Sequence, residues 1–314
     1  MKIRPQFELR VAGRTVRLGE RTLIMGVVNV TPDSFTDGGR FLNPGRAIAH
    51  ALELARQGAD WIDVGGESTR PGSKPVTAEE ELRRVLPVIR GLHSRRPSIP
   101  ISVDTTKSQV AEEAVRAGAA IINDVSGLRF DPRLAGVARR YGTPLILMHL
   151  RGRPETMQQK PFARAIWRSL EASLEGAIRR ALKAGVRRSQ LILDPGLGFG
   201  KSRRQNYEIL AGLTRLRRFH LPLLLGTSRK SFVQAIARGE GLEPSARRRR
   251  TQNLWPFVSA LGAQQAAPLQ IGDAAAVAIS ILGGAHIIRV HDVEAALPAV
   301  RIADAVLAAG RSER

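Results

Sequence analysis

The fold is decided by the stretch Thr22–Phe41, which reads TLIMGVVNVTPDSFTDGGRF. Its apolar part, Leu23–Val28, is rich in β-branched residues and too short for a helix, so it predicts a strand buried on both faces. Residues 29–39 are polar, with one proline, two glycines and the single aromatic Phe35, which is typical of a loop. A buried parallel strand that ends in Asn29 and enters such a loop predicts an active site at that end.

The same unit, an apolar strand followed by a polar residue and a helix, recurs along the chain. Seven more strands are predicted at 61–64, 100–103, 120–122, 144–148, 191–193, 223–225 and 286–290. One of the intervening helices is predicted over 204–218. Strands that alternate with helices are parallel, with right-handed crossovers. Eight such units in one chain of somewhat more than ~250 residues match an α/β fold of the (β/α)8 TIM barrel type. The prediction is one domain, residues 1–314, and a doubly wound sheet is the alternative.

Two segments lie outside the repeating unit. Within residues 1–20, the stretch Phe7–Arg17 alternates and turns at Ala12-Gly13, so we predict a β-hairpin that closes the amino-terminal mouth of the main fold. Residues 243–271, after the seventh strand, form a connection of unusual length for a compact domain, and we interpret them as an insertion within it. The run Arg247–Arg250 is interpreted as a solvated segment, with a diphosphate or partner contact as the alternative.

The composition is that of a globular domain. The chain has 314 residues, 43% of them hydrophobic, which is enough for one large α/β domain with a substantial core. No apolar run approaches the ~18 residues of a membrane span, and no secretory signal is visible at the start, so no membrane partner is expected. The chain contains no cysteine, which excludes disulfides and thiolate chemistry and fits a cytoplasmic location.

The net charge of +21 is the unusual feature of the composition. Nucleic-acid binding is one interpretation of such a charge. However, the arginines are dispersed along predicted helices, and aromatic residues, at 4%, are too few to form stacking platforms for bases. We therefore predict no nucleic-acid partner. The charge should still attract anionic substrates at low salt.

Polar side chains at the ends of the predicted strands supply a candidate site. The carboxyl ends of barrel strands face one mouth, so residues that are distant in sequence should converge there. The set comprises Asn29, Asp104, Asn123, Asp194, Lys230, Arg289 and His291. Its carboxylates and amides suit a flat heterocycle with amino and ring N–H donors. Its cations, together with Arg70, suit an anion such as phosphate. A strand-end Asp or Asn is often a simple helix cap, so the prediction rests on the whole set.

Glycine-rich turns near the same strand ends allow backbone N–H groups to approach a ligand. They lie at Gly38-Gly39, Gly65-Gly66 and Gly196–Gly200. The last of these has the wrong spacing for a dinucleotide-binding loop, and the sequence contains neither a P-loop nor a zinc-ligand pattern.

Eight motifs in the chain resemble those of the dihydropteroate synthases, the folate-pathway enzymes that sulfonamides inhibit. They are NVTPDSFTDGG (29–39), DVGGESTRPGS (63–73), SVDTTK (102–107), INDVSG (122–127), LMH (147–149), DPGLGFGK (194–201), GTSRKSF (226–232) and RVHDV (289–293). They span nearly the whole chain in the expected order, and several are long and specific. The resemblance implies a (β/α)8 barrel that condenses 6-hydroxymethyl-7,8-dihydropterin diphosphate with p-aminobenzoate, giving 7,8-dihydropteroate and diphosphate.

The resemblance also implies a role for each candidate residue. The catalytic residues would be Asp104, Lys230 and Arg289. The pterin would contact Asp104, Asn123, Met148, Asp194, Lys230 and Arg289. The p-aminobenzoate would contact Thr69, Pro71, Phe199, Lys230 and Ser231, under a lid from the Asn29 loop that includes Phe35. The diphosphate would contact Asn29, Arg70, Arg289 and His291, with Mg²⁺ as the cofactor near Asn29.

The insertion at 243–271 is a departure from the family, which usually has a short connection here. Because members commonly dimerise through helices in this region, we expect a homodimer whose interface the insertion covers or remodels. Three alternatives stay open: a methyltetrahydrofolate methyltransferase, a homologue that binds pterin without synthase activity, and a basic nucleic-acid-binding protein. The first would have no use for Ser-Arg-Lys-Ser at 228–231 or Thr-Arg-Pro at 69–71.

Overall fold

The computed structural model describes residues 4–31, 43–159, 164–242 and 266–310. Its strands are β1 (Phe7–Val11), β2 (Arg14–Leu18), β3 (Leu23–Asn29), β4 (Trp61–Gly65), β5 (Ile101–Asp104), β6 (Ile121–Asp124), β7 (Leu145–Met148), β8 (Leu191–Asp194), β9 (Leu224–Gly226) and β10 (Ile287–Val290). Strands β3 to β10 pair in parallel in the order β8-β7-β6-β5-β4-β3-β10-β9. A parallel bridge between Leu193 and Leu223 brings the two ends of this order together. The predicted (β/α)8 barrel is therefore confirmed, and the doubly wound sheet is excluded.

Helices follow the barrel strands and form the outer layer. They are α1 (Pro44–Arg56), α2 (Ala78–Arg95), α3 (Ser108–Arg116), α4 (Leu134–Tyr141), α5 (Ile166–Lys183), α6 (Arg203–Ala211), α7 (Ser231–Ala237), α8 (Ala266–Leu282) and α9 (Val293–Ala309). Most are amphipathic, with an apolar stripe that faces the core; in α2 the buried stripe includes Val85, Val88, Ile89 and Leu92. Within the described residues, no helix has the length and apolar character of a membrane span.

The amino-terminal hairpin is confirmed as β1 paired antiparallel with β2. Its residues Leu9, Val11 and Leu18 belong to one buried cluster with side chains from the first halves of the barrel strands. These partners are Leu23, Met25, Trp61, Ile121, Ile146, Ile192, Leu224 and Ile287. The hairpin therefore closes the amino-terminal mouth of the barrel, and ligands can approach only from the opposite, carboxyl-terminal mouth.

The helix predicted over 204–218 consists of two elements. Helix α6 ends at Ala211, and a 3₁₀-helix follows at Leu213–Phe219. Gly212 joins them beneath the ring of Trp167, where an added Cβ would lie 2.4 Å from the ring atom Cζ2. Only glycine fits this close contact, and the change from α-helix to 3₁₀-helix occurs at the same residue. The spacing of apolar residues did not reveal the break, since a 3₁₀-helix has nearly the same period.

His286 fastens the amino-terminal segment to the barrel and gives the fold a predictable pH dependence. Its Nδ1 accepts a bond from the N–H of Leu223 at 3.1 Å, and its Nε2 pairs with the carbonyl oxygen of Pro5 at 2.9 Å. This arrangement requires the neutral ring with the proton on Nε2. Burial lowers the pKa of His286 to about 4 from its ordinary value of 6.5, whereas the Pro5 bond acts in the opposite direction.

We expect the contribution of His286 to stability to be present above pH 6.5 and to be lost as the pH falls towards 4. The unfolded chain binds a proton in this range and the folded chain does not, which corresponds to about 2 kcal/mol between pH 7.5 and pH 5. Urea unfolding at both pH values measures it. The His286→Gln variant should lose this part of the pH dependence, whereas substitution of the exposed His220 by glutamine should retain it.

Candidate active site

The carboxyl ends of four neighbouring strands bring predicted site residues into one row across the sheet. Asn29 lies opposite Gly65, Gly65 lies opposite Asp104, and Asp104 lies opposite Asn123. Gly65 has no side chain, and its Cα therefore lies close to both polar neighbours: an added Cβ would be 3.8 Å from Asn29 Oδ1 and 3.4 Å from Asp104 Cβ. The glycine keeps the space between the amide and the carboxylate open.

A cavity of about 430 Å³ opens at this mouth. Nine predicted residues line it, namely Asn29, Thr69, Arg70, Pro71, Phe199, Lys230, Ser231, Arg289 and His291. The structure thus brings together residues from five strand-to-helix connections. The lining of the cavity also includes five residues that the sequence pattern did not identify, namely Thr31, Met157, Gln158, Ser228 and Arg229. A volume in this range suits a small molecule.

The remaining predicted residues lie deeper, at the floor of the barrel mouth. Asp104, Asn123, Met148 and Asp194 are all buried. Asp104 is hydrogen-bonded to a residue of the cavity wall: Nη2 of Arg289 donates to Asp104 Oδ2 at 2.9 Å. Oδ1 of Asp194 accepts a bond from the N–H of Gly196 at 2.6 Å, which leaves its other oxygen for a further donor. The floor is therefore lined by acceptors.

Burial shifts the proton affinities of the charged groups at this floor. Burial, with the neighbouring carboxylate of Asp63, raises the pKa of Asp104, and the guanidinium of Arg289 opposes that rise. Burial and the charge of Arg289 lower the pKa of Lys230 to about 8, against the attraction of Asp194. Carboxylates and cations thus stabilise one another here with little water, so their interactions with a ligand are strong.

Lys230 is held at the wall by an aromatic contact. Its Nζ lies 4.0 Å from the centroid of the Phe199 ring, a cation–π arrangement. The lysine stem crosses Gly198, where an added Cβ would lie 3.1 Å from Lys230 Cδ and where the φ of +83° also favours glycine. The glycine-rich turn therefore serves to admit this side chain.

The rim carries a second set of polar groups. Arg70 is exposed in a loop that is closed by the Ser73 hydroxyl, which donates to the Arg70 carbonyl at 2.8 Å. The same loop is tied to its neighbour by a bond from Gly72 N–H to the carbonyl of Pro154 at 3.0 Å. His291 was grouped with the cations, but burial, with Arg289 and other nearby cations, lowers its pKa to about 3. It therefore acts as a neutral hydrogen-bonding ring.

Comparison with known proteins supports a specific family. The profile of the pterin binding enzyme family matches residues 25–291. A dihydropteroate synthase of Synechocystis sp. is 41% identical to the chain, over 92% of this chain and 91% of its own length. The chain belongs to the dihydropteroate synthases.

Solved structures of other synthases agree with this assignment. The Xanthomonas albilineans dihydropteroate synthase with 4-aminobenzoic acid superposes with a TM-score of 0.80 and 38% identity, covering 96% of this chain and 98% of the other. A complex of the synthase from the same organism with 7,8-dihydropteroate gives a TM-score of 0.77 and 37% identity, covering 95% and 98% of the two chains.

Asp63 is the main residue of this synthase site that sequence reasoning missed. It is fully buried in β4, and its Oδ2 accepts bonds from Arg289 Nε at 2.6 Å and from Asn123 Nδ2 at 3.2 Å. Its Oδ1 has no hydrogen-bond partner among the described residues. The available signal was an aspartate in the middle of a buried apolar strand, because a buried charge needs a partner or a function.

Lys201 organises the loop that follows β8 in the synthase. It is buried, and its Nζ donates to the carbonyls of Gly196, Phe199 and His149 at 2.6, 3.1 and 3.2 Å. Three backbone carbonyls that point at one ammonium fix the loop in the conformation that presents Phe199. The sequence motif contained this lysine, but a motif does not distinguish a ligand contact from a structural one.

Two predictions for the synthase lie outside the described residues. Phe35 and most of its loop belong to residues 32–42, so the predicted lid is not described. Of the insertion predicted at 243–271, residues 243–265 lie outside the described residues, and residues 266–271 form the start of α8.

Proposed function

We propose that the chain condenses 6-hydroxymethyl-7,8-dihydropterin diphosphate with p-aminobenzoate to give 7,8-dihydropteroate and diphosphate. The observation that carries this is a cavity lined by the cations Arg70, Lys230 and Arg289. Two buried carboxylates lie behind this lining: Asp104 accepts a bond from Arg289, and Asp194 interacts electrostatically with Lys230. Relatives with the same fold bind 4-aminobenzoic acid and 7,8-dihydropteroate. These are one substrate and the product of the proposed reaction.

The floor suits the pterin ring. A pterin presents amino and ring N–H donors along one edge, and Asp104, Asp194 and Asn123 supply acceptors, with the amide able to donate as well. Met148 provides an apolar, polarisable wall, since it is buried in a cluster with Met157 that also contacts Phe199. A site with buried carboxylates strongly rejects analogues that lack the matching N–H donors, because its acceptors would then stay unpaired.

The reaction is a substitution at the pterin methylene carbon. The amine of p-aminobenzoate supplies the electron pair for the new C–N bond, the C–O bond to diphosphate breaks, and the amine loses a proton. Positive charge grows on the pterin and negative charge on the leaving diphosphate. Asp104 at the floor stabilises the first, and the guanidinium groups of Arg289 and Arg70, with the neutral ring of His291, stabilise the second.

The p-aminobenzoate site is proposed near the Lys230 wall. Lys230 and Phe199 are in contact, and Thr69, Pro71 and Ser231 line the same cavity. The ammonium and the hydroxyl groups suit the carboxylate of p-aminobenzoate, while the Phe199 ring suits its aromatic face. In this proposed orientation the amine would face the interior, where the methylene carbon of the pterin would be.

Mg²⁺ is proposed as the cofactor, held mainly by the substrate. Among the described residues no cluster of three His, Cys, Asp or Glu side chains could hold a metal ion. Asn29 Oδ1 at the cavity is one suitable oxygen ligand. Mg²⁺ characteristically binds through one or two protein oxygens, waters and substrate phosphates, so this donor set fits. When bound, the ion would neutralise charge on the leaving diphosphate.

We expect the Asn29→Ala variant to need about tenfold more Mg²⁺ for half-maximal diphosphate release, because one of few protein ligands is lost. Titration of Mg²⁺ in the release assay measures this. Asn43→Ala is the matched control, since Asn43 caps α1 outside the cavity. An unchanged Mg²⁺ requirement in the Asn29 variant would contradict the metal assignment.

The decisive test of the function is p-aminobenzoate-dependent release of diphosphate from the pterin diphosphate by the purified protein. A protein that binds pterin without synthase activity would bind the substrate but release nothing. A nucleic-acid-binding protein would instead be retained on heparin or DNA at moderate salt with no effect of pterin. We also propose a cytoplasmic location, which is supported by the absence of cysteine from the sequence.

The chain is also proposed to form a homodimer through α8 and α9, which pack against each other. Ile271 on α8 and Ile302 on α9 are 68% and 66% exposed, and Ile279 and Val306 on the same helices are also exposed. The sequence of α8 contains a single ionisable side chain. Two chains of net charge +21 repel each other, so a face poor in charge is where two copies can meet.

We expect light scattering to give twice the mass of one chain. Ile302→Glu should give the mass of one chain, because it would bury an unpaired carboxylate in the interface. Leu182→Glu is the matched control, since Leu182 is an exposed apolar residue on α5. A monomeric wild-type protein, or an Ile302 variant that stays dimeric, would contradict this interface.

A further inference from the structure

The turn between β9 and α7 directs Lys230 into the cavity through an unusual backbone conformation. Arg229 has a φ of +57°, in the left-handed region that a side chain with a Cβ rarely adopts. The next residue, Lys230, precedes α7 and extends its side chain across Gly198 to Phe199. The direction of Lys230 therefore depends on Arg229 staying in a disfavoured conformation, which the surroundings must hold.

One side chain from a distant part of the sequence contacts this turn. Asp273 lies on α8, and its Oδ2 accepts a bond from the backbone N–H of Arg229 at 2.9 Å. The same oxygen lies 3.4 Å from Ser228 Oγ, which can donate to it. Asp273 is the only ionisable residue in the sequence of α8. A carboxylate that accepts a backbone N–H and a hydroxyl together fixes two successive residues of the turn.

The contact continues to the other side of the site. The N–H of His291, which follows β10, lies 3.5 Å from Ser228 Oγ, at the long end of hydrogen bonding. Asp273, Ser228 and His291 therefore form a chain from α8 to the end of β10. Lys230 and His291 both line the substrate cavity. Lys230 is connected to Asp273 through the backbone of Arg229, and His291 is connected to it through the hydroxyl of Ser228.

We infer that Asp273 is a positioning residue for Lys230: its carboxylate holds Arg229 in the left-handed conformation and thereby aims the ammonium of Lys230 at the substrate cavity. This inference rests on the proposed role of Lys230 in substrate binding. Helix α8 would then connect the active site to the proposed dimer surface, because it carries Asp273 on one side and exposes Ile271 and Ile279.

The surroundings of Asp273 allow it to be replaced without disruption of the core. It lines a second cavity of about 260 Å³, between α7, α8 and the start of α9, which adjoins the substrate cavity at Ser228 and Arg229. Its Oδ1 makes no hydrogen bond within the part of the chain that the structure describes. Shortening the side chain therefore removes the bonds to the turn and little packing.

The test compares Asp273→Ala with Asp273→Asn, which keeps an oxygen that can accept from Arg229. We expect the alanine variant to lose about 10- to 100-fold in kcat/KM, with a higher KM for p-aminobenzoate, because small displacements of a binding group have effects of this size. The asparagine variant should stay within about fivefold of the wild type, since it keeps the neutral bond. Gln270→Ala, which alters another residue of the same cavity on α8, is the control.

A second arm tests the mechanism in the Arg229→Gly background. Glycine adopts positive φ readily, so the turn should no longer depend on the carboxylate. Asp273→Ala should then cost less than about threefold relative to Arg229→Gly alone. An equal loss in both backgrounds, an asparagine variant as poor as alanine, or an Asp273→Ala variant with wild-type kinetics would overturn the inference. A loss of kcat with unchanged KM would also overturn it, because that pattern reflects loss of folded enzyme.

Hydrogen exchange separates this inference from the proposed function. The amide of Arg229 is protected by Asp273 Oδ2, so exchange of a peptide covering residues 226–232 should accelerate in Asp273→Ala and not in Gln270→Ala. If the wild type releases no diphosphate, the proposed function fails while this readout still tests the turn. Unchanged exchange in an active enzyme would overturn the role of Asp273 alone.

Discussion

Replacement of Asp104 by asparagine is expected to lower kcat/KM for the pterin diphosphate by about 10²- to 10³-fold or more. The carboxylate is buried behind Arg289, which lines the cavity, and in the proposed mechanism it would accept from the pterin and oppose the positive charge that grows on the ring. Asparagine removes the charge and presents N–H groups where acceptors are needed. Arg289 keeps its 2.6 Å bond to Asp63, so the site should stay folded. Steady-state diphosphate release and thermal unfolding measure the two effects separately.

The matched control is Asp124→Asn, one residue beyond Asn123 in the adjacent strand. Asp124 is also buried, but its oxygens accept from the backbone N–H groups of Ser126 and Leu128 at 2.8 and 2.5 Å. We expect this variant to lose about 1–3 kcal/mol of stability while the folded fraction keeps its kcat/KM. Wild-type turnover by Asp104→Asn, or an equal loss of activity in both variants, would remove Asp104 from the proposed mechanism.

The fold could be predicted from the sequence because local pattern and global topology agree. Short apolar runs such as Leu23–Val28 are rich in β-branched residues and too short for helices, so they indicate buried strands, and the alternation with helices leaves few parallel arrangements. The convergence of Asn29, Asp104 and Asn123 then follows from the barrel, because parallel strands end at the same side. No contact between these residues had to be known in advance.

The missed features depend on pairings that periodicity does not encode. Asp63 lies within a strand, not at its end, and acquires its role only because Arg289, from the opposite end of the chain, reaches it. The sequence gives no sign that Asp273 has a special role; only the structure shows that its carboxylate contacts the backbone N–H of Arg229. In both cases the deciding interaction joins residues on different elements, and one side chain gives no indication of its partner.

Replacement of Arg289 by methionine is the second prediction with a large expected effect, and it acts on stability as well as on turnover. Arg289 bridges two carboxylates, with Nε 2.6 Å from Asp63 Oδ2 and Nη2 2.9 Å from Asp104 Oδ2. Methionine fills similar volume but leaves both carboxylates without their cation. We expect a loss of about 3–5 kcal/mol in the free energy of unfolding at pH 8, because buried charge is then uncompensated. Urea unfolding measures it.

The loss should shrink as the pH falls from about 9.5 to about 7. Burial and Asp63 raise the pKa of Asp104 from the ordinary value of 3.8 to about 8, and Arg289 is the cation that opposes this rise. Without Arg289 the pKa of Asp104 is higher still, so above pH 8 the folded variant keeps a proton that the folded wild type has lost, and the stability of the variant relative to the wild type increases as the pH is lowered towards 7. A loss of stability equal at both pH values would indicate packing instead of charge as its cause.

Two further variants separate the structural role of Arg289 from its proposed catalytic role. Arg289→Lys keeps the charge but cannot bridge two carboxylates with a planar group, so it should recover part of the stability. The double variant Asp63→Asn with Arg289→Met removes one of the uncompensated carboxylates and should also recover stability. Neither restores the guanidinium that is proposed to face the leaving diphosphate, so diphosphate release should stay low in both. If turnover instead returned together with stability, Arg289 would act only by holding Asp104 in place.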